Sequence, residues 1–152
     1  MSDAAAMVAF LEARLDEEEA AAKGPPGWKL EHWSAVHYKT SASLREWRVD
    51  AEPRCITDQV ARGDAEHIAR YDPARVLREV EAKRAVVDLY KRTRAILDDF
   101  GARMERREHI SATASGDYLA AQRELAVLGL VLRHHVAVYD ADPGYDPAWA
   151  PV

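Results

Sequence analysis

The sequence contains a single cysteine, Cys55, among 152 residues. A lone cysteine cannot form an internal disulfide, so an apolar core must hold the fold, and a reducing compartment such as the cytoplasm is expected. The longest apolar run, residues 125–132, is far shorter than the roughly eighteen residues that a membrane helix needs. The first residues also lack the basic segment of a secretory signal. We therefore expect a cytoplasmic protein without a membrane segment.

Motifs of the common enzyme classes are also missing. There is no GxSxG, no GxxxxGK[ST] or GxGxxG, and no HExxH or CxxC. Glu66 and His67, with Asp64 nearby, are the one combination suited to acid–base or metal chemistry. Because a histidine on an amphipathic helix more often packs or hydrogen-bonds, we predict no catalytic residue, no metal site and no cofactor.

The composition is that of a folded chain of one domain, residues 1–152. Hydrophobic residues make up 48% and charged residues 31%, values outside the disordered range. The net charge of −5 opposes general attraction to nucleic acid. Partners are therefore expected to be proteins before nucleic acids.

The most informative stretch is residues 64–90, DAEHIARYDPARVLREVEAKRAVVDLY. Asp72 suits a helix N-cap and Pro73 the first helical position, while the residue before a proline avoids helical geometry. The pattern predicts a short helix ending near Tyr71 and a long helix from Pro73. Apolar residues at helical spacing support the second helix, namely Val76, Leu77, Val80, Val86, Val87 and Tyr90.

This stretch resembles the signature of a family of small, uncharacterised actinobacterial proteins, a domain-of-unknown-function family. The flanking segments MVAFLEARLDEEEAAA and VYDADPGYDPAWAP extend the resemblance to about half of the chain. Similar proteins occur in phages or mobile elements, so the resemblance implies such an origin. It implies no activity and transfers no catalytic residue. Family members often carry a cysteine-bearing insert between the central and last helices, which this chain does not have.

Residues 1–23 read as the N-terminal helix, with Met7, Val8, Leu11 and Leu15 as its apolar stripe and Gly24 onward as its end. Residues 28–57 are rich in tryptophan, tyrosine and valine and predict two or three short antiparallel strands. The central helices are expected over residues 57–108, with Thr57 or Asp64 as the first cap and Gly101 as a kink or an end.

The last helix is expected over residues 116–139, followed by a tail, residues 140–152, that Tyr145 and Trp149 staple to the body. Its apolar seam steps by three and four residues through Ala121, Leu125, Leu128, Leu132, His135 and Tyr139. This seam favours antiparallel packing on the helix that begins at Pro73. The predicted fold class is α+β, mainly helical, with a long antiparallel helix pair and a small sheet of two or three strands.

Two sets of residues are candidates for binding. The first is the tryptophan cluster Trp28, Trp33 and Trp47, which is either an interaction surface or the core between sheet and helix. The second is the basic stripe of residues 83–107, with Lys91, Arg92, Arg94, Arg106 and Arg107, which can contact phosphates or pair with acidic side chains.

These features favour a non-enzymatic protein-interaction, assembly or regulatory protein, with self-association through the long helices as one form. Two alternatives stay open: a nucleic-acid-binding protein that uses the basic stripe, and a small enzyme or metal protein that uses Glu66 and His67.

Overall fold

The computed structural model describes residues 3–24, 32–39, 45–51 and 54–151. The elements in chain order are α1 (Asp3–Lys23), β1 (Ser34–Lys39), β2 (Arg45–Ala51), β3 (Arg54–Val60), α2 (Arg62–Arg70), α3 (Pro73–Glu105) and α4 (Ala112–Val136), followed by 3-10 turns at Ala137–Tyr139 and Pro147–Trp149. The prediction of a mainly helical α+β fold with a small antiparallel sheet is confirmed. Within the described ranges, no helix is long and apolar enough to span a membrane.

The chain forms two compact units. The first unit comprises Met1–Leu15 and Ala82–Val152, and the second comprises Asp16–Glu81. Both α1 and α3 contribute residues to each unit. The expectation of one domain over residues 1–152 therefore stays a prediction.

In the first unit, α3 and α4 form the predicted antiparallel pair. Three contacts along the two helices fix this orientation, namely the stacking of Phe100 on Tyr118, the hydrogen bond from the Thr93 hydroxyl to Glu124, and the hydrogen bond from Lys83 Nζ to the Tyr139 hydroxyl. The α4 seam is buried at Ala121, Leu128, Leu132 and Tyr139 and half-buried at Leu125 and His135. The stripe of α1 is also buried as predicted, at Met7, Val8, Leu11 and Leu15.

In the second unit, the strand order is β1-β2-β3 and both pairings are antiparallel. Helix α2 packs against β1 and β2. Val49 and Ala51 on β2 and Ala65 on α2 are fully buried, because alternate strand residues point to one face and meet the apolar side of the helix. The sheet therefore has the helix-covered face that a small sheet needs for stability.

Three predicted boundaries are wrong. Thr57 does not cap a helix, because it lies in β3 and pairs with Val49 on β2. The strand continues to Val60, and α2 begins only at Arg62. The side chain of the N-cap residue, Ala61, makes no capping hydrogen bond. The last helix begins at Ala112 instead of residue 116, because the Ser111 hydroxyl accepts a hydrogen bond from the Ala114 amide and caps it earlier. That helix also ends at Val136, before the predicted residue 139, and continues as a 3-10 turn.

Helix α3 passes through Gly101 and ends at Glu105, so Gly101 does not end the helix. The α3–α4 connection is correspondingly short, residues 106–111. Short connections between antiparallel helices are typical of helical hairpins, so α3 and α4 form such a hairpin.

Candidate functional site

The side of α4 that faces away from its buried seam is an apolar surface. A helix turns about 100° per residue, so residues 119, 123, 126, 127, 130, 134 and 138 share one side, opposite Leu128 and Leu132. Four large apolar side chains on this side are more than half exposed, namely Leu119 at 55%, Val127 at 61%, Leu130 at 54% and Val138 at 66%. Val138 belongs to the 3-10 turn that continues α4. We refer to this side as the α4 outer strip.

Small residues share this side of the helix with the four large side chains. Ala120, Ala126 and Ala137 lie between them, and Ala112 and Gly116 precede Leu119. Arg123 and His134 are the polar residues of the strip. Isolated exposed apolar residues are ordinary on protein surfaces, whereas a contiguous apolar patch marks an interaction site. The α4 outer strip is more than a set of isolated residues, because its four large apolar side chains follow one another along a single helix face and only Arg123 and His134 interrupt them.

A groove between α3 and α4 adjoins the strip. It has a volume of 460 Å³, and its apolar lining comes from Tyr90 and Leu97 on α3 and from Leu125, Ala126, Gly129 and Leu130 on α4, with Gln122 and Arg133 as polar neighbours. Apart from the backbone of its own helix and its chain neighbours, no atom lies within 4 Å of the position that a Gly129 Cβ would occupy, so the groove is open there. Ala126 and Leu130 belong to both surfaces, and the apolar area therefore extends from the strip toward α3.

The basic stripe is largely paired with acidic side chains of the same unit. Lys91 pairs with Glu12 of α1, and Arg94 Nε lies 3.1 Å from Asp98 Oδ1. Arg106 hydrogen-bonds Glu108, and this contact lowers the pKa of the Glu108 carboxyl. Arg92 and Arg107 are exposed and have no ion pair among the described residues. Of the five basic residues named above, three are therefore paired with acids, which is the second of the two roles that the sequence left open.

Trp47 lies in the packing between sheet and helix of the second unit. Its ring centre lies 5.2 Å from that of His37, and the Arg62 guanidinium of α2 lies 5.4 Å above it. Trp33 is also half-buried, and Trp28 lies outside the described residues. Trp47 is half-buried and both of its ring neighbours are exposed, so the choice between core and interaction surface stays open for the tryptophan cluster.

Glu66 and His67 point to different neighbours. Glu66 accepts a hydrogen bond of 2.7 Å from Arg62 Nε, whereas the His67 ring lies 4.8 Å from that of Tyr71. Both are exposed, as is Asp64. In the part of the chain that the structure describes, no three His, Cys, Asp or Glu side chains are placed to hold a metal ion. The geometry gives no support to an acid–base pair at these positions.

Asp72 and His32 form a pair that the sequence analysis missed. Asp72 is buried and caps α3 as predicted, with its Oδ1 accepting from the Arg75 amide over 2.6 Å. Its Oδ2 lies 3.0 Å from Nδ1 of the exposed His32. Burial raises the pKa of Asp72, but the hydrogen bonds from His32 and the Arg75 amide lower it by more, so the net pKa is below the ordinary value.

The α4 outer strip was also missed, although the sequence carried a signal for it. Helix α4 has apolar residues on two opposite faces. A helix with this pattern normally has both faces covered by other elements or partners. The seam accounts for one face only. The spacing of Leu119, Val127, Leu130 and Val138 identifies the second face.

Comparison with known proteins adds the family. A family model described as "Family of unknown function (DUF6221)" matches residues 4–151. No curated protein matches the chain, and no solved structure does. Because the family model covers nearly the whole sequence, the chain belongs to DUF6221, a family of unknown function.

Proposed function

We propose that this DUF6221 member is a non-enzymatic protein-interaction protein and that the α4 outer strip is the surface through which it binds. The observation that carries the proposal is the alignment of four large, more than half-exposed apolar side chains on one helix face, namely Leu119, Val127, Leu130 and Val138. Burial of apolar area contributes about 25 cal/mol per Å². The burial of these side chains by a partner would therefore make binding more favourable.

The position of α4 in its unit supports this assignment. One face of the helix already packs on α3 through the buried seam. The opposite face would be polar if it only met solvent, yet only Arg123 and His134 interrupt its apolar and small residues. A docking role explains both faces, because the seam then holds the fold while the strip binds a partner.

The alternative functions have weaker support. The basic stripe is mostly neutralised by acids of its own unit, which reduces its attraction for phosphates. Glu66 and His67 lie on an exposed helix surface and contact different neighbours. An assembly or regulatory process stays a prediction from the missing enzyme motifs and the helical seams. An actinobacterial or phage-associated origin stays a prediction from the resemblance of the central stretch.

Site-specific photo-cross-linking in cells tests the proposal. A photoreactive amino acid at Leu130 is expected to yield a covalent adduct with a protein. Met104 on α3 is the matched control, because it is 56% exposed against 54% for Leu130 but lies outside the strip. Adducts from position 130 and none from position 104 support the proposal. A chain that forms no adduct from position 130, or equal adducts from both, contradicts it.

A further inference from the structure

The large apolar residues of the α4 outer strip are spaced symmetrically. Leu119 and Val127 are eight residues apart, Val127 and Leu130 are three apart, and Leu130 and Val138 are again eight apart. The pattern reads the same in both directions, with its centre between residues 128 and 129. A surface that contacts its own copy across a two-fold axis must be self-complementary in this way, whereas a surface for an unrelated partner has no such constraint.

We propose, building on the function proposed above, that the partner is a second copy of this chain and that the two α4 outer strips pack antiparallel. With the two-fold axis at the centre of the pattern, Val127 contacts Leu130 of the second copy. Leu119 contacts Val138 of the second copy near each end. Each of these contacts occurs twice, so all four exposed apolar side chains of each copy are covered.

The smaller and polar residues fit the same register. Ala120 comes opposite Ala137 of the second copy, so small residues meet at the same level and allow the helices to approach within the usual 8–10 Å. Arg123 comes opposite His134 of the second copy. Both are exposed, and their long or ring-shaped side chains can keep the polar end in water beside the apolar contact.

The expected dimer is reversible. Residues 119–138 span about 29 Å of helix at 1.5 Å per residue, so a single pair of strips buries an area below that of standard stable interfaces. Association through this contact alone therefore depends on concentration. The adjoining α3–α4 groove at Ala126 and Leu130 extends the apolar area available to the second copy.

Sedimentation velocity of the purified chain over a concentration series tests the dimer. The wild type is expected to shift from about 17 kDa towards twice that mass as concentration rises. Leu130→Glu and Val127→Lys each place a charge in the contact and are expected to weaken dimerisation at least about tenfold. Met104→Glu introduces the same kind of charge outside the strip and should leave dimerisation unchanged. Far-UV circular dichroism confirms that each variant is folded.

A mixture of the two strip variants tests the register. In the antiparallel arrangement, residue 127 of one copy faces residue 130 of the other, so Val127→Lys and Leu130→Glu chains should form a mixed dimer joined by a Lys–Glu pair. A parallel arrangement places residue 127 against residue 127 and cannot form this pair. Recovery of dimer in the mixture, with little dimer in either variant alone, supports the proposal. A mixture that stays monomeric overturns the antiparallel register.

The outcomes separate this inference from the function on which it rests. At about 1 mM, even an association of about 4 kcal/mol would be visible. If the wild type stays monomeric up to this concentration, the proposal that a second copy is the partner is wrong. If the cross-linker at Leu130 then captures a different protein, the interaction function stands without the dimer. If position 130 yields no adduct of any kind, both fail.

Discussion

Trp149 Nε1 donates a hydrogen bond of 2.8 Å to Asp3 Oδ1 and so joins the end of the described chain to the first turn of α1. The indole is buried, and its ring centre lies 5.3 Å from that of Phe10 and 5.9 Å from that of Tyr145. The predicted stapling of the tail by Tyr145 and Trp149 is therefore confirmed. The contact makes the tail part of the core of its unit.

Trp149→Ala should lower the free energy of unfolding by about 3–5 kcal/mol, because it empties a buried aromatic site. Trp149→Phe keeps much of the packing but loses the hydrogen bond to Asp3. The lost hydrogen bond should lower the free energy of unfolding by about 1 kcal/mol, in addition to the effect of the smaller ring. Urea denaturation measures both. Val138→Ala, at an exposed position of the same unit, is the control and should change the monomer by less than about 0.5 kcal/mol. Equal stability of Trp149→Ala and the wild type would show that the tail does not hold the fold.

The Asp72 cap predicts a pH dependence of stability. The folded-state pKa of Asp72 is lowered, so the folded chain holds its proton less tightly than the unfolded chain does. The ionised carboxylate therefore adds stability above about pH 4, and this contribution is lost as the pH falls from there through the folded pKa.

Asp72→Asn separates the charge of this residue from its capping role, because asparagine is an equally good N-cap but does not titrate. At pH 7 the variant should be less stable by about 1 kcal/mol, since the carboxylate makes charge-assisted hydrogen bonds with His32 and the Arg75 amide. Near pH 3 the difference should shrink, as Asp72 becomes protonated in the wild type. Thermal unfolding at both pH values measures it, and a difference independent of pH would contradict the assignment.

Local signals in the sequence were sufficient for the helical part of the fold. Asp72 and Pro73 predicted the boundary between α2 and α3, and the three- and four-residue spacing in α4 predicted its buried seam. These signals act over one or two helical turns, so tertiary contacts seldom override them. The start of α4 was misplaced, because Ser111 is one of several polar residues there that could act as the cap and only the folded backbone selects one.

The remaining features depend on which elements become neighbours. Thr57 is a reasonable helix cap by itself, but pairing with Val49 makes it part of a strand. His32 meets Asp72 across 40 residues of sequence, a distance over which no local pattern acts. The exposure of Leu130 could not be predicted for a similar reason. A leucine in an apolar helix is expected to be buried, and only the tertiary structure shows which face of the helix the neighbouring elements cover.

The paired charges of the basic stripe predict little affinity for nucleic acid. At about 150 mM salt, the chain is not expected to retard DNA or RNA in a gel, because Glu12, Asp98 and Glu108 already neutralise much of the stripe. Replacing Arg92, Arg94, Arg106 and Arg107 with glutamate should then change nothing in this assay. Retardation by the wild type that weakens with salt and disappears in the fourfold variant would restore the nucleic-acid hypothesis.

Replacement of Gly101 by alanine should make the fold more stable. The residue lies inside α3, and apart from its chain neighbours and the backbone of α3 itself no atom lies within 4 Å of the position that its Cβ would occupy. Gly101→Ala should therefore raise the free energy of unfolding by about 0.5–1 kcal/mol, because alanine has the higher helix propensity and loses less backbone entropy on folding. Gly144→Ala is the matched control: its nearest neighbour, the Phe10 ring, leaves room at 3.8 Å, but its φ of +91° strains any residue with a side chain. Urea denaturation should show opposite signs for the two substitutions, and a destabilising Gly101→Ala would mean that α3 is interrupted at this residue.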